Sequence, residues 1–191
     1  RSKALDLLGF KRQIVYDSFL RLQLREYEQG DDMDFLYGLA RAHVRAMVDF
    51  CSGDERLIAA GYVPLADPER SVAAMKFALD QGCKAVTMAV DCPRNHSPSH
   101  AGLEPMWAMA AEAGVPIMYH LGGGRKPSTA FSKTGRREDK GYAGGDGTFT
   151  SVEYLGAPLP FIETMNALVI DGVMERNPKL RIGVVEYGAA W

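Results

Sequence analysis

The sequence predicts an α/β fold with a parallel sheet, and two observations carry that expectation. Short, almost continuously apolar runs alternate strictly with longer amphipathic stretches, and residues that start or stop helices mark the changes of period. The apolar runs lie at 13–16, 57–63, 85–90, 116–119 and 180–185. Consecutive apolar positions over so short a length suit strands buried on both faces of a sheet. The amphipathic stretches lie at 34–50, 68–81, 103–113 and 161–176.

The elements follow in order. A short helix over 2–8, closed by Gly9, precedes the first strand. The helix over 34–50 carries His43 at its middle, where a surface or packing role is expected. The next helix has Asp67 as N-cap, Pro68 at its first position and Gly82 as its stop, the polarity that orphan N–H groups and left-handed C-termini impose. In the third, Met106, Trp107 and Met109 recur at helical spacing and read as core, and Gly114 ends it. The fourth runs into Asn177-Pro178.

Strict alternation implies parallel strands joined by crossover helices, but does not separate a closed barrel from an open, doubly wound sheet. No GxGxxG follows any strand, which counts against dinucleotide binding. A complete eight-stranded barrel takes about 250 residues. Five strands in 191 residues fit a partial barrel lacking units at both ends. Arg1 stands inside a helical pattern and Trp191 just after a strand, so the chain is expected to be one domain, 1–191, internal to a longer protein. One stretch, 121–157, has nine glycines, ten charged residues and no apolar period. It is expected to be an irregular loop insertion, mobile without substrate and serving as a lid or an oligomer contact. Its Gly122-Gly123-Gly124-Arg125-Lys126 lacks the spacing of a phosphate-binding loop.

Bulk properties narrow the function. The net charge is −2 with both signs interspersed, which suggests neither nucleic acid nor a membrane surface as partner. No apolar run approaches the roughly 20 residues of a membrane span. Cys51, Cys83 and Cys92 have no CxxC spacing and are expected to be reduced packing residues in a cytoplasmic protein. The expected partner is a small-molecule substrate, and a homodimer is compatible with the sequence.

Chemistry is expected at the C-terminal ends of the strands, where Asp17, Asp67, Asp91, His120 and Glu186 stand. In (β/α) barrels that rim carries the catalytic side chains. Asp67 reads as a helix cap. Asp17 and Asp91 are candidates for substrate contact or for capping, and His96 and His100, in a polar rim loop, for substrate contact or solvation. His120 follows a buried-strand run and precedes glycines that leave room beside an imidazole, which suits metal ligation or base catalysis. Glu186 ends the last strand, where a carboxylate needs a cation, a metal or hydrogen-bond donors.

An ordered set of segments now carries a resemblance: Pro64-Leu65-Ala66-Asp67-Pro68-Glu69, Glu104-Pro105-Met106-Trp107-Ala108, Pro116-Ile117-Met118-Tyr119-His120-Leu121-Gly122, Glu175-Arg176-Asn177-Pro178-Lys179-Leu180-Arg181, and Glu186-Tyr187-Gly188-Ala189-Ala190-Trp191. Together they resemble the amidohydrolase-related family that includes aminocarboxymuconate-semialdehyde decarboxylase. The likeness covers most of the chain and weakens over 121–157. It implies a distorted (β/α)8 TIM-type barrel holding a divalent metal, commonly zinc. It also implies decarboxylation of aromatic or unsaturated acids, or hydrolysis. Family ligands are a His-x-His pair on the first strand, a histidine on the fifth and an aspartate on the eighth. His120 matches the fifth-strand histidine; the others have no match here and are expected outside the segment. Glu186 stands where decarboxylase relatives carry a histidine, which tilts the expectation toward hydrolysis with Glu186 as catalytic base. Two rivals remain: a metal-free enzyme using Asp17, Asp91 and Glu186 as acid/base groups, and a non-catalytic barrel kept for binding.

Overall fold

The structure, a computed structural model, describes residues 2–17, 19–122, 128, 130, 135 and 156–188. The expectation for 121–157 falls mostly outside these residues. Among the described residues five strands form one sheet in chain order: β1 (Gln13–Val15), β2 (Leu57–Tyr62), β3 (Ala85–Thr87), β4 (Ile117–His120) and β5 (Ile182–Val185). Every neighbouring pair is parallel, with Ile14 opposite Ile58, Gly61 opposite Val86, Val86 opposite Ile117 and Tyr119 opposite Val184. Consecutive parallel strands in sequence order are staves of a barrel; among the described residues no strand order reverses around a central crevice as in a doubly wound sheet.

Among the described residues the helices are α1 (Ser2–Leu8), α2 (Leu20–Glu28), α3 (Met33–Cys51), α4 (Pro68–Asp80), α5 (Glu104–Ala113), α6 (Leu159–Ile170) and α7 (Val173–Arg176). Asp67 caps α4 by accepting the Arg70 N–H at 2.9 Å, and Gly114 ends α5 in the left-handed conformation at φ 63°. The expected helix over 161–176 is two helices. Gly172, at φ 74°, breaks it, because a left-handed residue cannot continue a right-handed helix. Strand β3 is shorter than its apolar run: Met88, Ala89 and Val90 are buried beyond the last paired residue. A helix the sequence reading left out, α2, lies between β1 and α3.

The core lies between sheet and helices and contains Trp107, Met106, Ile117, Tyr119, Phe161 and Leu103, none of them exposed. Gly61 is needed for packing rather than for backbone freedom. A Cβ there would stand 2.8 Å from Cys83 Sγ and 3.1 Å from Val44 Cγ2, so its absence lets α3 and α4 close on β2. Cys51 and Cys83 pack as expected, whereas Cys92 is exposed on a polar loop; all three are free thiols. Among the described residues no helix is long and apolar enough to cross a membrane.

Candidate functional site

His120 is the last residue of β4, and its pairing with Val185 of β5 fixes the direction in which the ring leaves the sheet. The ring is mostly buried, its side chain 13% exposed, and the Tyr16 ring meets it edge-on with centroids 5.2 Å apart. Tyr187 donates a long hydrogen bond of 3.5 Å to the His120 carbonyl.

Glu186 follows β5 directly and is the single non-glycine residue with positive φ, 67°, among the described residues. That conformation costs a residue with a Cβ roughly 1–2 kcal/mol, and such cost concentrates at working sites. Here it turns the chain at the strand end and sets Glu186 Oε1 3.7 Å from His120 Nε2. The expectation that this carboxylate suffers desolvation is corrected: the side chain is 63% exposed, because the turn lifts it off the strand into the open rim.

Asp17 lies two residues beyond β1. Its Oδ2 accepts the Arg21 N–H at 2.5 Å in the first turn of α2, and its Oδ1 lies 3.3 Å from His43 Nε2, ion-pair range without hydrogen-bond alignment. His43 is therefore neither a surface residue nor a mere packing residue. It is buried, and its Nδ1 accepts the Tyr62 N–H at 3.3 Å, so a neutral ring carries its proton on Nε2, toward Asp17. Burial pushes the Asp17 carboxyl up, but the His43 contact and the Arg21 N–H and guanidinium outweigh burial and hold it below its ordinary value.

Helix α2 lies along this rim through residues 21, 25 and 28, at the i, i+4, i+7 spacing of one helical face. Arg21 Nη1 lies 2.7 Å from His120 Nδ1 and donates to the Leu121 carbonyl at 2.6 Å. Arg25 donates to Asp91 Oδ2 at 2.8 Å. Glu28, buried, accepts the Leu65 N–H at 2.5 Å and the Tyr62 hydroxyl at 3.0 Å. Burial raises its carboxyl to about 7, against the opposing pull of those two donors. Asp91 thus sits on the expected rim but is engaged by Arg25 and by the Cys92 N–H. His100 accepts the Gly102 N–H at 3.1 Å and caps a short 3-10 helix, with its ring 5.0 Å from that of His96.

The structure therefore brings together His120, Glu186, Arg21 and Tyr16, with Asp17 and His43 behind them. Arg21, Arg25, Glu28 and the role of His43 escaped the sequence reading. The 21/25/28 spacing was the visible signal, but it acquires meaning only once 20–28 is known to be helical. Among the described residues no group of three or more His, Cys, Asp or Glu side chains is placed to hold a metal. The donor set fits part of such a site: one imidazole and one carboxylate, types that take divalent transition ions, where three or four ligands are usual.

Residues 21–191 match the family model described as amidohydrolase. No curated protein matches the chain. Among solved structures it is similar to an amidohydrolase from Mycobacterium avium subsp. paratuberculosis K-10, at 24% identity and TM-score 0.77, covering 99% of this chain and 48% of that one. It is similar to 2,6-dihydroxybenzoate decarboxylase from Rhizobium, at 17% identity and TM-score 0.66, covering 96% and 54%. It is also similar to 5-carboxyvanillate decarboxylase from Novosphingobium aromaticivorans DSM 12444, solved with bound manganese, at 17% identity and TM-score 0.69, covering 96% and 48%. Likeness at such identity is a likeness of fold, and the chain spans about half the length of these proteins.

Proposed function

This chain belongs to the amidohydrolase family, and from that premise we propose that it forms part of a metal-dependent enzyme. The enzyme acts as hydrolase or carboxy-lyase on a small organic acid or cyclic substrate. The observation that supports the reading is the pairing at the rim: an imidazole at the end of β4 whose Nε2 faces, at 3.7 Å, a carboxylate held out by a left-handed turn. His120 would hold a divalent ion through Nε2, with the other ligands coming from outside the described residues. Zinc is the ion proposed, with manganese, present in a relative's structure, as the alternative. Such an ion supplies Lewis acidity toward a substrate oxygen and toward water.

The remaining chemistry falls to this chain's own side chains. Glu186, exposed at the rim, would take a proton at Oε1 from the attacking water and return it to the leaving group. A carboxylate in that position suits hydrolysis better than decarboxylation, since it repels a substrate carboxylate. Asp17 and Asp91 are tied to His43, Arg21 and Arg25, so as acid/base groups of a metal-free enzyme they are poorly free to act. They shape the rim for substrate through the groups they anchor, and His100 does so from its cap. The free thiols fit a cytoplasmic setting.

The test is kcat for Glu186→Gln in the intact enzyme once a substrate is found by screening cyclic amides, lactones and aromatic acids. General-base catalysis is worth about 10²–10⁴-fold. A loss in that range supports the reading, and a loss under about tenfold makes Glu186 structural.

A further inference from the structure

A series of contacts runs from the core to the rim and ends beside His120. It starts at His43, buried in the middle of α3, whose Nδ1 accepts the Tyr62 N–H of β2 at 3.3 Å. That bond leaves Nε2 facing Asp17 Oδ1 at 3.3 Å, between side chains only 2% and 9% exposed. The other Asp17 oxygen accepts the Arg21 N–H at 2.5 Å, in the first turn of α2. Phe19, at the N-cap, supplies no side-chain bond to that turn, so Asp17 holds it from outside the helix. Arg21 in turn donates through Nη1 to the Leu121 carbonyl at 2.6 Å, on the peptide that leaves β4 directly after His120. A guanidinium only donates and a carbonyl only accepts, so this grip is the same whichever nitrogen of the His120 ring carries a proton.

We infer that His43 is a positioning residue: through Asp17 and the first turn of α2, it sets Arg21 to clamp the end of β4 on which His120 stands. A buried carboxylate that loses one of its partners must find another or move toward water. Without the His43 ring, Asp17 is no longer fixed at Oδ1, and the turn it holds by Oδ2 loosens with it. The Arg21 Nε is buried with no hydrogen-bond partner among the described residues, so the guanidinium takes its place from the helix that carries it. The rest of α2 stays docked, because Arg25 donates to Asp91 at 2.8 Å and Glu28 accepts the Leu65 N–H and the Tyr62 hydroxyl. The effect is therefore confined to the first turn of α2 and the end of β4. Its purpose, a fixed stem for His120, rests on the role proposed above for that residue.

Hydrogen exchange of the metal-free intact protein tests this, read by mass spectrometry on peptides over 20–24 and 117–122 with β3 as reference. The variant is His43→Asn. Asparagine keeps an oxygen bonded to Cγ, where Nδ1 stands, for the Tyr62 N–H, but has no atom in the place of Nε2. Expected is faster exchange over both peptides, on the order of tenfold, the factor that one hydrogen bond to a charged group carries, with β3 unchanged. In an Arg21→Met background, His43→Asn should add nothing further over 117–122, because the two residues act in series. Unchanged exchange over 117–122, or the same gain with and without Arg21, overturns the inference. So does a loss of protection spread evenly over β3 as well, which makes His43 a packing residue. If His43→Asn does not fold, Asp17→Ala breaks the series one step further on and is judged by the same outcomes. Failure of the metal assignment shows separately, as metal content unaffected by His120→Ala, and leaves these exchange outcomes standing.

Discussion

Glu28→Gln should make the protein more stable at pH 8 and leave it little changed near pH 4. Glu28 is buried and titrates at about 7 rather than its ordinary 4.5. Between those values the native state holds a proton that the unfolded chain has released. Stability therefore falls as pH rises through the window from 4.5 to 7, and is flat outside it on account of this group. Raising the carboxyl from 4.5 to about 7 corresponds to roughly 3 kcal/mol. Glutamine reproduces the protonated form: its carbonyl accepts the Leu65 N–H and its amide donates to the Tyr62 hydroxyl, which turns from donor to acceptor. The assay is urea unfolding of the intact protein at pH 4, 6 and 8, comparing midpoints at constant m. The wild type should lose about 3 kcal/mol between pH 4 and pH 8 relative to the variant. An unchanged pH profile in Glu28→Gln, or a variant less stable than wild type at pH 8, would refute the reasoning.

Two core substitutions should bracket the packing account. Gly61→Ala presses a methyl against Cys83 Sγ and Val44 Cγ2 at 2.8 and 3.1 Å and should cost about 1–3 kcal/mol by thermal unfolding. Gly183→Ala should cost under about 1 kcal/mol, because the atoms it meets are the mobile end of Met118; equal costs would contradict the distinction. Tyr119→Phe should be neutral or stabilising, since the buried Tyr119 hydroxyl has no hydrogen-bond partner among the described residues. A loss above about 1 kcal/mol would reveal a partner outside them.

The parallel order of the sheet was legible because each strand is a short, nearly continuous apolar run flanked by helices with polar caps such as Asp67 and stops such as Gly82 and Gly114. What escaped was α2. Leu20, Leu22 and Leu24 alternate with polar residues, a strand-like period, and no side chain caps the helix at Phe19. The helix is instead held from outside by His120, Asp91, Leu65 and Tyr62, distant in sequence. Missing α2 hid the partners that hold Asp17 and Asp91 at the rim. His43 was misjudged for a related reason: mid-helix position says nothing of which face is buried until β1 delivers Asp17 against it. The positions of His120 and Glu186 at the ends of β4 and β5 were legible because strand ends are visible in sequence, while the left-handed turn at Glu186 that exposes its carboxylate was not.

Metal content decides whether His120 ligates a metal. Elemental analysis of intact protein, purified without chelator, should give a divalent ion near one per chain in wild type, zinc or manganese by this account. His120→Ala should lose most of it while keeping its fold by circular dichroism, since removing one of three or four ligands forfeits much of the binding free energy. The same metal stoichiometry in a folded His120→Ala protein would contradict the account.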